Sequence, residues 1–414
     1  MFNEDIRFQH FLQSGTRLAM ALAMHWVTLQ NEVGADSVGP LRMSVEAAGA
    51  DSSKLQRDIT MQRERVRFQA LDVEIRALPE GDMRRAAWLN VDRFSTCWVT
   101  AWPTHDARLS NEEFAEATTF YFGLPSPACA AVIGERIGST RYAVDAHGCH
   151  LTTATLPGDG WRSQHDALKW QIDQDCRDSH TRVVTEVYGL FAAYIPQAGR
   201  RRLASEPIRK RQGLVPDFLV YAAIDGPERA LLLELKTLHH GVSTYVQGQP
   251  PQARCAAVAR RARALPAEYA AKAVQVDRKY CNTGADETGP VTARLQRFEP
   301  VRCLVFGAWA ECSPDVEKLL GCLARTGAAR LWRSMGCVEE SVAVGILAWA
   351  LRRRWAMTAL RENARLKLER LGYLGHGASE ASQRRTSARA AWAARQAARA
   401  AGTLAHTSAW RGDR

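Results

Sequence analysis

Gly213-Leu-Val-Pro-Asp217-Phe-Leu-Val-Tyr221, followed across Asp225-Gly-Pro227 by Ala230-Leu-Leu-Leu-Glu234-Leu-Lys236-Thr237, is the stretch from which the fold can be read. Phe218 to Ile224 is apolar and partly β-branched, the Asp-Gly-Pro triplet is turn chemistry, and Ala230 to Leu238 is apolar again, which predicts two paired strands. Successive side chains on a strand point to opposite faces, so Glu234 and Lys236 share one face while Leu233, Leu235 and Thr237 take the other. Asp217 follows a proline that cannot donate to the ladder, which places it at a strand end on the Glu234 face. Two carboxylates and an ammonium are therefore expected to converge.

Carboxylate oxygens suit a hard divalent ion such as Mg²⁺ or Mn²⁺, which takes one or two of them and completes its shell with water and substrate phosphate. An ion held by Asp217 and Glu234 would activate a phosphodiester toward water, and Lys236 would orient that water or offset charge in the transition state. The plainer reading is a structural ion pair at a sheet edge. Pro-Asp occurs a second time at Pro314-Asp315 without a following acid-x-Lys, but Glu234-Leu-Lys236 is the only Glu-x-Lys in the chain. It stands inside a leucine run, where charge is costly unless used.

Around the hairpin the pattern predicts a helix over about 164–176, a strand over 182–188, a long helix over about 253–280 that Pro266 kinks or splits, and a strand over 301–309. A helical turn through Val187, Leu190 and Phe191 competes with the end of the 182–188 strand. The order is helix, strand, strand, strand, helix, strand, an α/β core over 161–330 with a mixed sheet. Helical extensions flank it: a helical block over 1–80, broken near Gly34 to Pro40, and a helix within 331–372. Residues 81–160 read as loops and short helices, with Ala101-Trp-Pro103 as a turn and Ser110-Asn-Glu-Glu113 as a capping box opening a helix to about Tyr121. Residues 373–414 form an Ala/Arg-rich tail expected to be disordered, with seven arginines against two acids from 376 onward.

With 414 residues, 46% of them hydrophobic and 24% charged, the chain can bury a sizeable core. Its formal charge of +11 favours nucleic acid or acidic membrane surfaces as a partner, through counterion release and steering. Ten cysteines without a Cys-x-x-Cys pair, and an acidic start where a secretory leader would be basic, lead us to expect an intracellular protein of the nucleus or cytoplasm. The longest apolar run, Val342 to Leu351, is about half the roughly 20 residues of a membrane span, so no membrane partner is expected.

Asp217, Glu234 and Lys236, in this order and spacing, resemble the signature of the PD-(D/E)xK (restriction-like) nuclease superfamily. A wider series is Leu55-Gln-Arg57, Trp88-Leu89, Ala101-Trp-Pro-Thr104, Leu109-Ser-Asn-Glu-Glu-Phe114, Gly123-Leu-Pro125, Asp145-Ala-His-Gly-Cys-His150 and Arg162-x-x-His165. It is similar to the endonuclease-bearing region downstream of the polymerase in eukaryotic non-LTR retroelement reverse transcriptase proteins. The resemblance spans roughly residues 50 to 330, and no polymerase Asp-Asp pair accompanies it.

The resemblance implies a metal-dependent DNA endonuclease derived from a mobile element, with Asp217, Glu234 and Lys236 catalytic. Asp217, Glu234, the upstream Glu186 and the carbonyl of Leu235 would hold the metal, with Glu186 sharing a strand face with Val184 and Tyr188. It also implies a zinc knuckle drawn from Cys129, His147, Cys149 and His150, but no second Cys follows Cys129 at the right spacing and Thr153 to Thr155 stand where the last Cys belongs. A degenerate knuckle held by packing is the expectation. His165 opens the preceding helix, where it would touch phosphate or cap the helix, capping being the expectation, and Arg209, Lys210, Arg211, Arg260, Arg261 and Lys272 are read as contacts to the phosphate backbone. Two alternatives remain at this level: a nucleic-acid-binding protein of the same fold without cleavage, and a repair or junction nuclease unrelated to retroelements.

Overall fold

The structure is a computed structural model that describes residues 52–100, 108–138, 140–154, 156, 160–206, 213–241, 244–245, 255–372 and 374. The predicted helical segment before residue 52, the Trp-Pro turn at 101–103, Arg209, Lys210, Arg211 and the arginine tail beyond 374 lie outside the described residues. The chain divides into two compact units, 1–79 and 80–414. In the first, the described element is α1 (Ser52–Arg76).

In the second unit, helices α2 (Met83–Asn90), α3 (Asn111–Tyr121) and α4 (Cys149–Thr153) precede the sheet, together with a 3₁₀ turn at Ser95–Thr100. The capping box that sequence places at Ser110 is present. The Ser110 hydroxyl accepts the Glu113 backbone N–H at 3.1 Å, and the Glu113 carboxylate accepts that of Ser110 at 2.8 Å.

Helix α5 (Gly160–Asp178) then leads into β1 (Val183–Thr185), α6 (Gly189–Ala192), α7 (Gln197–Ser205), β2 (Phe218–Ala222) and β3 (Arg229–Thr237). Helix α8 (Ala256–Val276) and α9 (Pro290–Leu295) cross over to β4 (Arg302–Phe306), and α10 (Pro314–Leu331) and α11 (Glu340–Leu371) close the fold. The four strands lie in the order β1-β2-β3-β4, the first two pairings antiparallel and the last parallel. This is an α/β fold with a mixed sheet and helical extensions; the four strands follow in the predicted order, but α6 and α7 stand between β1 and β2, where the predicted order has no helix. The parallel β3-β4 pairing is what requires the long helical crossover.

Alternation along the strands sorts the core into two layers. Phe218, Val220, Leu231, Leu233, Leu235, Leu304 and Phe306 face one way, against Leu168 and Ile172 of α5, Leu319 and Leu323 of α10, and Trp355 and Leu360 of α11. Phe94, Trp98 and Tyr121, from the loop-rich segment before the sheet, belong to the same cluster. Each such fully buried side chain contributes about 1.5–3 kcal/mol. On the opposite face Leu219 and Leu232 pack against Tyr269, Ala273 and Val276 of α8, and Cys303 and Val305 against its Val258 and Leu265.

Two local expectations are corrected. Of the two outcomes expected at Pro266, a kink or a split, the split is ruled out, since Pro266 lies within a continuous α8; its neighbours Leu265 and Tyr269 are buried, and that packing holds the helix together across the missing N–H. The strand predicted through Tyr188 stops at Thr185, because Glu186 turns into the left-handed region at φ 49° and α6 follows.

Candidate active site

Strand β2 begins at Phe218, paired with Leu233, so β3 runs on past the end of its partner. Beyond that point Asp217 takes over the ladder: its Oδ2 accepts the Leu235 backbone N–H at 2.8 Å. On the far side β3 continues in register with β4, Glu234 opposite Cys303 and Lys236 opposite Val305. Glu234 and Lys236 share a face, as the strand period requires, with Lys236 Nζ donating to Glu234 Oε1 at 2.5 Å. By parity this is the face of Leu232, which α8 covers.

The two carboxyls are driven apart. Burial alone would raise Asp217, but the hydrogen bond and charge of His165, the Leu235 N–H and the Lys236 charge together hold it below its ordinary 3.8. Glu234 is raised above 4.5, first by burial and then by the negative charge of Asp217, with Lys236 opposing. Glu234 Oε2 is buried and has no hydrogen-bond partner among the described residues.

Two side chains that sequence reasoning did not place here come from α5. His165, predicted to cap the helix, lies in its second turn because α5 starts at Gly160. Its Nε2 is 3.4 Å from Asp217 Oδ2 and 3.2 Å from the Leu235 carbonyl, and its Nδ1 is 3.2 Å from Asp166 Oδ1. Burial works against its charge, but the bonds to Asp166 and Asp217 prevail and lift its pKa to about 9. One turn on, Lys169 Nζ sits 2.5 Å from Glu186 Oε1, 3.3 Å from Asp166 and 4.0 Å from Asp217 Oδ1. The available signal was the apolar stripe Leu168, Ile172 and Cys176, which turns α5 toward the sheet and leaves His165 and Lys169 at its rim.

Glu186 does not lie on the strand as predicted. It follows β1 instead of continuing it, and its carboxylate is occupied by Lys169 and by the Tyr188 hydroxyl at 2.9 Å. The Lys169 bond is also the main reason its pKa is lowered. Its link to Asp217 runs through the backbone, Glu186 N–H to Asp217 O at 3.0 Å, and through the shared lysine.

Of the basic residues on α8, Arg260 is tied to the Thr244 carbonyl at 2.5 Å and Arg261 to Glu268 at 2.5 Å. Lys272 is exposed, and its charge is among those acting on Glu234. The zinc candidates are spread over other partners. Cys129 is packed among Ile137, Leu151 and Ala154, the Cys149 thiol faces His240 Nδ1 at 3.2 Å, and His150 Nδ1 meets the Ala143 carbonyl at 2.8 Å. The backbone N–H groups of His147, Cys149 and His150 are gathered by the Asp145 carboxylate at 3.0, 3.1 and 2.6 Å.

Among the described residues no group of three or more His, Cys, Asp or Glu side chains is arranged as a metal cage. Asp217 and Glu234 offer the one or two carboxylates that a hard divalent ion needs, and Glu234 Oε2 has no hydrogen-bond partner among the described residues. No helix among the described residues is long and apolar enough to cross a membrane. The chain matches no known family profile, no curated protein and no solved structure.

Proposed function

We propose that this chain is a metal-dependent endonuclease that hydrolyses DNA phosphodiester bonds, of PD-(D/E)xK type and derived from a mobile element. The observation that carries the reading is the meeting of Asp217, Glu234 and Lys236 at the β2-β3 end of a mixed sheet, with a buried carboxylate oxygen left free. The element order around them and the net charge of +11 support it. The resemblance of the flanking segments supports the mobile-element lineage.

Asp217 and Glu234 would hold Mg²⁺ or Mn²⁺ beside the Leu235 carbonyl. The chemistry supplied by such an ion is polarisation of the scissile phosphate and acidification of water. Asp217 stays ionised through His165 and the Leu235 N–H, so a negative ligand is in place before substrate arrives. Lys236, anchored by Glu234, presents its ammonium where charge develops on the phosphate. Lys272 on α8 neutralises backbone phosphates as they approach.

The test is nicking of supercoiled plasmid by purified protein in Mg²⁺ or Mn²⁺. Wild type is expected to nick, and Asp217→Asn and Lys236→Ala to lose nicking while still binding DNA. Wild-type protein that binds DNA but cleaves neither plasmid nor branched DNA with either metal overturns the enzyme reading and leaves a binding protein.

A further inference from the structure

Tyr269 of α8 is 5% exposed and packs with Leu219, Leu232 and Ala273 on the sheet face that carries Glu234. Its hydroxyl is buried without a hydrogen-bond partner among the described residues, and so is Glu234 Oε2. A buried hydroxyl left unpaired costs about 1–3 kcal/mol, and such atoms are rare in folded proteins. Packing does not require this one, since phenylalanine would fill the same space.

The two orphaned atoms are complementary. The phenol of Tyr269 is raised above its ordinary 10.0 by burial and then by the charges of Glu234 and Asp217, so it remains a donor, and its ring packs with Leu232, two residues before Glu234 on the same strand face. Glu234 Oε2 is an acceptor, its companion oxygen already taken by Lys236.

We propose that the Tyr269 hydroxyl seats a water molecule in the shell of the divalent ion that Asp217 and Glu234 Oε2 would hold, making Tyr269 a positioning residue for metal binding. This rests on the metal-dependent reading of Asp217 and Glu234. It adds a residue from the crossover helix that contributes to metal affinity without touching the ion.

Calorimetric titration of the full chain with Mn²⁺, paired with thermal unfolding of the metal-free protein, tests it. Tyr269→Phe is expected to melt at the wild-type temperature or above it, since a buried unpaired hydroxyl has been removed. It is also expected to bind Mn²⁺ roughly three- to tenfold more weakly, the worth of one hydrogen bond. On a Glu234→Gln background the same change is expected to have no further effect on Mn²⁺ binding. Unchanged Mn²⁺ affinity in Tyr269→Phe, or a lowered melting temperature with unchanged affinity, overturns the assignment and leaves Tyr269 a packing residue. If wild type binds Mn²⁺ and Tyr269→Phe weakens it, yet no DNA is cleaved, the hydrolase reading fails and the role of Tyr269 stands. Absence of Mn²⁺ binding by wild type overturns both.

Discussion

Asp217 Oδ2 accepts the backbone N–H of Leu235 at 2.8 Å, so one carboxylate both finishes the β2-β3 ladder and stands as the first acid of the candidate site. The two duties separate by substitution. Asp217→Ala leaves the Leu235 N–H without its acceptor and is expected to cost about 1–3 kcal/mol in urea unfolding. Asp217→Asn keeps an acceptor oxygen and is expected to recover most of that stability while still losing Mn²⁺ binding. An Asn variant as unstable as the Ala variant would show that the charge, and not the ladder bond, holds the strand end. Because the folded carboxyl lies below its ordinary 3.8, its contribution is present above that pH and is lost on further acidification through the folded value.

His165 gives a pH dependence of the opposite sense. Its folded pKa of about 9 stands above the ordinary 6.5, so its contribution is complete below pH 6.5 and is lost as pH rises toward 9. A rise from 6.5 to about 9 corresponds to roughly 3–4 kcal/mol at most. Urea unfolding of wild type and His165→Gln between pH 6 and 9.5 is expected to give curves that converge as pH rises. A gap that stays constant over this range would mean that the ring acts by packing and not by charge.

The hairpin, the Asp-Glu-Lys set and the Ser110 capping box were legible because each is local: strand period, turn residues and a three-residue cap fix them within a few positions. His165 and Lys169 were not. The His165 ring meets Leu235 across 70 residues, and only the packing of α5 against the sheet decides where it points. The strand reading of Glu186 failed for a different reason. Val183-Val-Thr185 carries the strand signal, but the left-handed turn at Glu186 has no marker, since Glu is not a residue that favours positive φ. The basic residues of α8 read alike in sequence and differ in the fold, because Arg260 and Arg261 found internal partners and Lys272 did not meet one within the same helix.

That difference among the α8 cations is measurable. If DNA is the partner, Lys272→Ala is expected to weaken binding of any sequence similarly and to reduce the slope of log affinity against log salt by roughly 1, as one phosphate contact does. Arg261→Ala, which removes a side chain engaged with Glu268, is expected to change the slope less. Fluorescence anisotropy with one labelled duplex between 50 and 200 mM salt reads both. Equal slopes for Lys272→Ala and wild type would take this lysine out of the DNA contact.

A buried ion pair joins the loop-rich segment to α11. Lys367 Nζ of α11 lies 2.9 Å from Glu116 Oε2 of α3, with the side chains 2% and 1% exposed. Glu116 is further satisfied by the Ser126 hydroxyl at 2.7 Å and the Ala128 N–H at 2.8 Å, so its charge is supported from two sides. Lys367→Met removes the cation and leaves a buried carboxylate uncompensated, and is expected to destabilise by about 3–5 kcal/mol. Glu116→Gln with Lys367→Met removes both charges while keeping an acceptor for Ser126 and Ala128, and is expected to recover most of the loss. The attraction of two buried charges is largely cancelled by their desolvation, so the pair as a whole contributes far less than breaking it costs. A double variant as unstable as Lys367→Met alone would mean instead that the lysine's alkyl stem, which runs against Gly148 with its Cδ 2.8 Å from where a β-carbon would stand, supplies the stability through packing.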